Sequence, residues 1–393
     1  MKLHCDIQLP ASKSESNRAL MLAAYGDFEP DFQNVSDSND TRILANAISE
    51  IKNGKRVIDI ADCGTAARFL TTFLACRSGN WLLTGSERMK QRPIKPLVDA
   101  LRRLGTNIQY AEKEGFLPLK IEGKPLSGGK VQIGMSQSSQ FASSLLLAAP
   151  MWPQGLELEL IGEKASFPYL GMTLAMMRQF GADIGQSKNV VKAAHSPYKP
   201  YQFVIEADWS AASYWYEIAA LSEDCEIHLR GLTLPSLQGD AVIAEWMSQL
   251  GVVTFMEKET LVLRKAPFVK RPLKFDFSAH PDLYPTLAAT CAGLGVEAEF
   301  VGIDNLHLKE SDRVVAMQAE LAKLGQRPVH FCAHNDHRIV MALAPLAMRI
   351  GTVTFDHPEV VMKSYPKFWS DIRQQLVKIS NGLTDGPFSS VFP

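Results

Sequence analysis

Several things are scarce in this chain of 393 residues, and each scarcity removes a class of function. Long apolar runs are missing: stretches such as Leu145 to Trp152 fall far short of the roughly 18 residues a bilayer span requires. Neither charge sign dominates. The 41 Lys+Arg nearly balance 42 Asp+Glu, so no global basic excess points to nucleic acid or an anionic membrane, and any positive field must be local. The opening Met1-Lys2-Leu3-His4-Cys5-Asp6 reads as a strand and lacks the apolar stretch of a signal peptide, so a cytoplasmic protein is expected. The six cysteines (Cys5, Cys63, Cys76, Cys225, Cys291, Cys332) are scattered without CxxC spacing, and buried, reduced thiols are expected in place of structural zinc or a redox pair. His334 and His337 flank Asp336, but a third convincing ligand is lacking, so no metal is expected.

What the chain has is a core and a repeat. With 46% hydrophobic residues it can bury a large interior, divided between two domains at this length. One kind of helix recurs, apolar at helical spacing and followed by a glycine: Leu44 to Gly54, Val98 to Gly105, Met172 to Gly181, Ile243 to Gly251, Val314 to Gly325 and, more weakly, Asp371 to Gly382. A second kind alternates with it. Polar starts near Ser14, Thr65, Ser139, Ser210, Asp282 and Asp336 each lead into a nearly all-apolar helix, which should be buried. Strand-like segments such as 130–133, 202–205, 261–263 and 352–355 fill the gaps. The sum is six units of two helices plus strands, an α/β fold. Two units are expected to be shortened, because 55–62 and 326–334 leave no room for a hairpin.

The polar starts suit N-caps, and a helix N-terminus offers free N–H groups and a partial positive charge. Several such ends together would bind anions. Cations accompany them. Lys13 stands at the mouth of the first buried helix with Arg18 about one turn inside; Arg92, Lys309, Arg313, Arg338 and Lys363 lie beside other starts. Ser138-Ser139-Gln140 puts three hydrogen-bonding side chains before a buried helix, more than a cap needs, which suits a hydroxyl-rich ligand. Asp282 sits at an N-cap position, and Glu310 lies between Lys309 and Arg313. Capping and a solvated ion pair account for these two carboxylates taken singly; together in one cleft they would make an acid/base pair. Gly293-Leu294-Gly295 and Ser127-Gly128-Gly129-Lys130 precede strand-like runs, so neither is a nucleotide-binding glycine loop.

From Leu9 to about Trp369 the ordered segments resemble those of the EPSP synthase family of enolpyruvyl transferases. They are Ser12-Lys13-Ser14 with Asn17-Arg18, Gly64-Thr65-Ala66 with Arg68, Arg88-Met89-Lys90-Gln91-Arg92-Pro93, Ser138-Ser139-Gln140-Phe141, Ser166 with Pro168-Tyr169, Pro281-Asp282, Lys309-Glu310-Ser311-Asp312-Arg313, Asn335-Asp336-His337-Arg338, and Lys363. The resemblance implies a two-domain inside-out α/β barrel of six repeated units, two of them shortened. One domain spans 10–206 and the other 1–9 with 207–393, with the active site in the cleft where they meet. It implies that shikimate 3-phosphate is held by Lys13, Ser14, Arg18, Ser138, Ser139, Gln140, Ser166, Asp282, Asn305 and Lys309. Phosphoenolpyruvate falls to Lys13, Gly64, Arg92, Gln140, Arg313, Arg338 and Lys363. Asp282, Glu310 and Lys13 are the implied catalytic groups, with no cofactor, no nucleic acid or membrane partner, and a monomer. Asp62-Cys63 before Gly64, Phe69 after Arg68 and Phe167 after Ser166 depart from the family's common residues and bear on inhibitor sensitivity. Two other readings are a UDP-N-acetylglucosamine enolpyruvyl transferase, whose catalytic Cys loop has no counterpart in Arg88 to Pro93, and a non-catalytic anion-binding paralogue.

Overall fold

The computed structural model describes residues 2–162 and 166–380. By their contacts these residues form two units, 2–12 with 206–380 and 13–205. The chain starts in the first with β1 (Lys2–Gln8) and then builds the whole of the second. That unit runs α1 (Lys13–Gly26), β2 (Phe32–Gln33), α2 (Asn39–Lys52), β3 (Val57–Asp59), α3 (Gly64–Ala75), β4 (Gly79–Thr84), α4 (Lys95–Arg103), β5 (Asn107–Tyr110), β6 (Leu119–Gly123), β7 (Gly129–Gly134), α5 (Ser139–Ala148), β8 (Leu156–Ile161), α6 (Phe167–Gln179), β9 (Ile184–Ser187), β10 (Val190–Ala193) and β11 (Phe203–Val204). The chain then completes the first unit: α7 (Trp209–Leu221), β12 (Asp224–Arg230), α8 (Ile243–Ser248), β13 (Val252–Glu257), β14 (Thr260–Lys265), β15 (Leu273–Asp276), α9 (Tyr284–Leu294), β16 (Ala298–Val301), α10 (Arg313–Leu321), β17 (Val329–Phe331), α11 (His337–Leu343), α12 (Ala347–Ile350), β18 (Val353–Phe355) and α13 (Phe368–Ser380).

One repeat explains this order. A strand, a buried helix and a second strand pair in parallel, as β3/β4, β7/β8, β1/β12, β15/β16 and β17/β18 do, and β11 closes the unit on β2 in the same way. A second helix and an antiparallel hairpin then extend the sheet, giving the strand orders β3-β4-β6-β5, β7-β8-β10-β9 and β1-β12-β14-β13. The hairpin is missing after α2 and after α10, where β3 and β17 follow almost at once. Both places are those the short segments indicated. The β17/β18 pair also has two strands, but the residues beyond α13 are not among those described, and the glycine expected to end that helix, Gly382, lies outside them too.

The two helix types differ as their sequences require. In α3 every residue from Ala66 to Ala75 is buried, and in α7 every residue from Ala211 to Leu221; α2 and α4 bury one apolar face. Trp209 and Trp215 are both fully buried on α7, and at roughly 150–250 Å² per ring and about 25 cal/mol per Å² each contributes on the order of 5 kcal/mol. Gly54, Gly105, Gly181 and Gly251 follow α2, α4, α6 and α8 with φ between 81° and 95°, the left-handed conformation that stops a helix. Gly325 departs from that pattern: α10 ends at Leu321 in a series of turns, and its glycine is not left-handed. No helix among the described residues is long and apolar enough to cross a membrane.

Candidate active site

In the unit of 13–205 the starts of four helices are linked by hydrogen bonds and an ion pair. Lys13, the first residue of α1, places Nζ 3.1 Å from Asp40 Oδ2 in the first turn of α2. The Asp40 carbonyl accepts from Cys63 Sγ at 3.5 Å, and Cys63 caps α3 by accepting from the Ala66 N–H. Thr65, one residue into α3, accepts from Gln140 Nε2 at the start of α5 at 3.2 Å. Converging N-termini present unbonded N–H groups and aligned dipoles to the same region, which favours an anion.

Cations complete this cluster. A Cβ placed on Gly64 would lie 2.7 Å from Nη1 of both Arg68 and Arg92, so the glycine lets two guanidinium groups close over the mouth of α3. Arg18, only 2% exposed, spans α1 and α6: Nε donates to Thr173 Oγ1 at 2.7 Å, Nη1 to the Ser14 carbonyl and Nη2 to the Tyr169 carbonyl. These partners are neutral, and burial pushes its pKa down to about 10, which leaves it charged at neutral pH and favours an added anion. Ser138 caps α5 through the Gln140 N–H, and Ser139 is buried behind it. Ser166 stands at the start of α6 with φ 55° and ψ 34°, a strained conformation for serine, and makes no side-chain cap. Ser14 is the second residue of α1. Phe69 is buried with its ring under the Arg18 guanidinium at 5.8 Å, so the departure at that position alters the cluster's apolar floor.

The other unit carries a denser charge web, centred on Arg313. This side chain is 1% exposed at the first position of α10 and meets three carboxylates: Nη1 to Asp282 Oδ1 at 2.8 Å, Nη2 to Glu310 Oε2 at 2.9 Å and Nε to Asp336 Oδ2 at 2.8 Å. Burial opposes its charge, yet Asp336, Asp282 and Glu310 together hold its pKa above the ordinary arginine value. Asp282 also receives Arg338 Nη2 at 2.7 Å and has Lys309 Nζ at 3.7 Å. Burial is the largest influence on Asp282 and raises its pKa, and Glu310 adds to that. The joint pull of Arg338, Lys309 and Arg313 overrides both and keeps the carboxyl well below the usual range. Asp336 caps α11 through the Arg338 N–H and accepts from Ser311 Oγ, so one buried carboxylate orients both arginines. Asn305 is buried with Oδ1 lacking a partner among the described residues, and Lys363 is buried at the end of a 3-10 turn packed against α11.

Local roles differ from the expectations at several helix starts. Cys63, not Thr65, caps α3; Asp208, not Ser210, caps α7, while Ser210 accepts from Arg338. Asp282 is not the N-cap of α9, a position taken by Leu283: it lies in a 3-10 turn before that helix and faces the cations. Glu310 is mostly buried on Arg313 and is no solvated ion pair. His334 turns to Glu320 and His337 lies buried by Asp336, so the two do not converge. Sequence reasoning missed Asp40, which carried no local signal, and undervalued Asp336, whose position just before the fully buried helix α11 was the available clue.

Residues 50–372 match the family described as EPSP synthase (3-phosphoshikimate 1-carboxyvinyltransferase). The chain belongs to the EPSP synthase family. It is 42% identical to the 3-phosphoshikimate 1-carboxyvinyltransferase of Bacteroides fragilis (strain YCH46), with 95% of each chain covered, and 35% identical to that of Syntrophobacter fumaroxidans, covering 93% of this chain and 96% of the relative. Among solved structures, an EPSP synthase from Acinetobacter baumannii matches with a TM-score of 0.72 at 20% identity over 95% of this chain and 96% of the other. The enolpyruvyl transferase NikO from Streptomyces tendae matches with a TM-score of 0.66 at 15% identity, covering 96% and 95%. These likenesses establish the mixed α/β enolpyruvyl transferase fold for this EPSP synthase family member.

Proposed function

We propose that both clusters serve the family's reaction, which this chain catalyses: transfer of the enolpyruvyl group of phosphoenolpyruvate to the 5-hydroxyl of shikimate 3-phosphate, with release of phosphate, in the shikimate pathway of aromatic amino-acid biosynthesis. The protein acts as a cytoplasmic monomer of two domains. Shikimate 3-phosphate is held by Lys13, Ser14, Arg18, Ser138, Ser139, Gln140, Ser166, Asp282, Asn305 and Lys309. Phosphoenolpyruvate is held by Lys13, Gly64, Arg92, Gln140, Arg313, Arg338 and Lys363. The chemistry supports this division, because two phosphates and two carboxylates brought together repel unless fixed cations and helix ends neutralise them. Arginine suits the planar carboxylate, and lysine the phosphate.

One observation carries the mechanism: Asp282 is held by Arg313 at 2.8 Å and Arg338 at 2.7 Å, the two arginines assigned to phosphoenolpyruvate. The ligand's carboxylate competes for both guanidinium groups. As they turn to it, Asp282 loses the cations that keep its proton affinity low and becomes a stronger base beside the acceptor hydroxyl. That hydroxyl gives its proton to Asp282 and attacks C2 of phosphoenolpyruvate; the C2–C3 π electrons take a proton at C3, delivered by Glu310. The resulting tetrahedral adduct loses the C3 proton, the double bond reforms, and phosphate leaves with Lys13 offsetting its charge. Phosphate release by the purified chain tests the reading. Release should require both substrates and Lys13, vanish in Lys13→Ala, and fail with UDP-N-acetylglucosamine as acceptor; binding of shikimate 3-phosphate with no release would refute it.

A further inference from the structure

A second group of chemistry-bearing side chains lies on the outer face of the β1-β12-β14-β13 sheet. Leu3, Cys5 and Ile7 of β1 and Cys225, Ile227 and Leu229 of β12 point into the core, so the alternate residues His4, Glu226 and His228 face outward. Parallel register sets His4 directly opposite Glu226, and His228 follows two residues along the same face. The His4 Nδ1 atom is 3.5 Å and the His228 Nε2 atom 3.4 Å from the same carboxylate oxygen, Glu226 Oε1, and the rings stand 5.5 Å apart at 57°. One ligand atom from each residue lies within 4.8 Å of the others.

We propose that His4, Glu226 and His228 form a surface binding site for a borderline transition-metal cation, zinc(II) foremost, which clips β1 to β12. Two imidazoles and one carboxylate select zinc and its neighbours over calcium or magnesium, which prefer all-oxygen sites. The spacing fits: with bonds of about 2.0–2.1 Å, the edge of a coordination tetrahedron is roughly 3.3–3.4 Å, close to the two separations measured from Glu226. Arg264 Nε donates to the other carboxylate oxygen, Oε2, at 3.0 Å, which orients Oε1 toward the imidazoles as outer partners of metal ligands do. Water fills the fourth position. The ligands come from strands far apart in sequence, so no motif spacing could reveal them. The site is independent of the enolpyruvyl chemistry.

Titration of the tag-free chain with zinc(II), and with cobalt(II) read by its visible absorption, tests the site. One equivalent should bind at neutral pH and give the spectrum of a four-coordinate cobalt ion. Affinity should fall at least tenfold in each of His4→Ala, Glu226→Gln and His228→Ala. Zinc should raise the thermal midpoint of the parent chain and not of these variants, while phosphate release stays unchanged in all. Absence of binding at 100 μM metal, or binding that persists in any one of the three variants, overturns the proposal.

Discussion

Glu217 occupies a costly position. It lies on α7, fully buried, and neither carboxyl oxygen has a hydrogen-bond partner among the described residues. Burial alone drives its pKa well above the ordinary value of 4.5, so the folded protein keeps this carboxyl protonated while the unfolded chain ionises it. The sign follows directly. Above about pH 4.5 the folded state binds the extra proton, so stability falls as pH rises, at about 1.4 kcal/mol per pH unit until the folded group ionises. Over the pH range in which only the unfolded group is ionised, this single residue therefore lowers stability. Asp282 does not confuse the result, because its depressed value means that its contribution is complete above about pH 4 and is lost only in stronger acid. Glu217→Gln keeps the shape and the buried polar cost but cannot titrate. Denaturant unfolding of both proteins across this range, followed by tryptophan fluorescence, reads mainly the correct unit, since Trp209, Trp215, Trp246 and Trp369 all lie in it. The variant should be the more stable at the upper end, and the gap should close toward the lower end. The infrared band of a protonated carboxylic acid should persist at neutral pH in the parent and be absent from the variant. Parallel stability curves and no such band would refute the reasoning.

Asp282→Asn should retain shikimate 3-phosphate binding by calorimetry while turnover falls by roughly 10²–10⁴-fold, the usual contribution of a general base; near-normal turnover sinks the assignment. Gly64→Ala should fold normally, because the atoms a Cβ meets are the tips of Arg68 and Arg92, yet KM for phosphoenolpyruvate should rise several-fold as both guanidiniums are pushed aside; an unchanged KM would remove Gly64 from the site. Asp336→Ala removes the α11 cap and one of three carboxylates on buried Arg313, so denaturant unfolding should show a loss of about 3 kcal/mol, and a loss below about 1 kcal/mol would mean the web is redundant.

The repeat was legible because it is written in spacing. Polar starts, apolar helices and terminal glycines announce themselves locally, and even the two missing hairpins show as short segments after α2 and α10. The exact caps were not. Cysteine is an uncommon N-cap, so Cys63 was passed over for Thr65, and Asp208 was hidden by Ser210 two residues later. Gly325 misled because its helix stops four residues earlier. Asp282 looked like a cap since its partners, Arg313 and Arg338, lie 31 and 56 positions away, and no local rule couples charges across that distance. The left-handed backbone at Ser166 and the Asn305 oxygen that has no partner among the described residues are likewise properties of the fold alone.

The pairing of β1 with β12 has a consequence for synthesis. Residues 13–205 form a unit from one uninterrupted stretch, whereas residues 2–8 find their partners only when 224–230 have been made. At roughly 5–20 residues per second the ribosome holds that first strand for about 10–40 s without its neighbour. Its apolar face, Leu3, Cys5 and Ile7, is uncovered throughout, while its other face carries His4 and Asp6. Polar residues on one side of a waiting strand discourage it from pairing with another chain. Chains truncated between residues 205 and 224 and released should therefore protect 13–205 from protease while leaving the first strand open to cleavage.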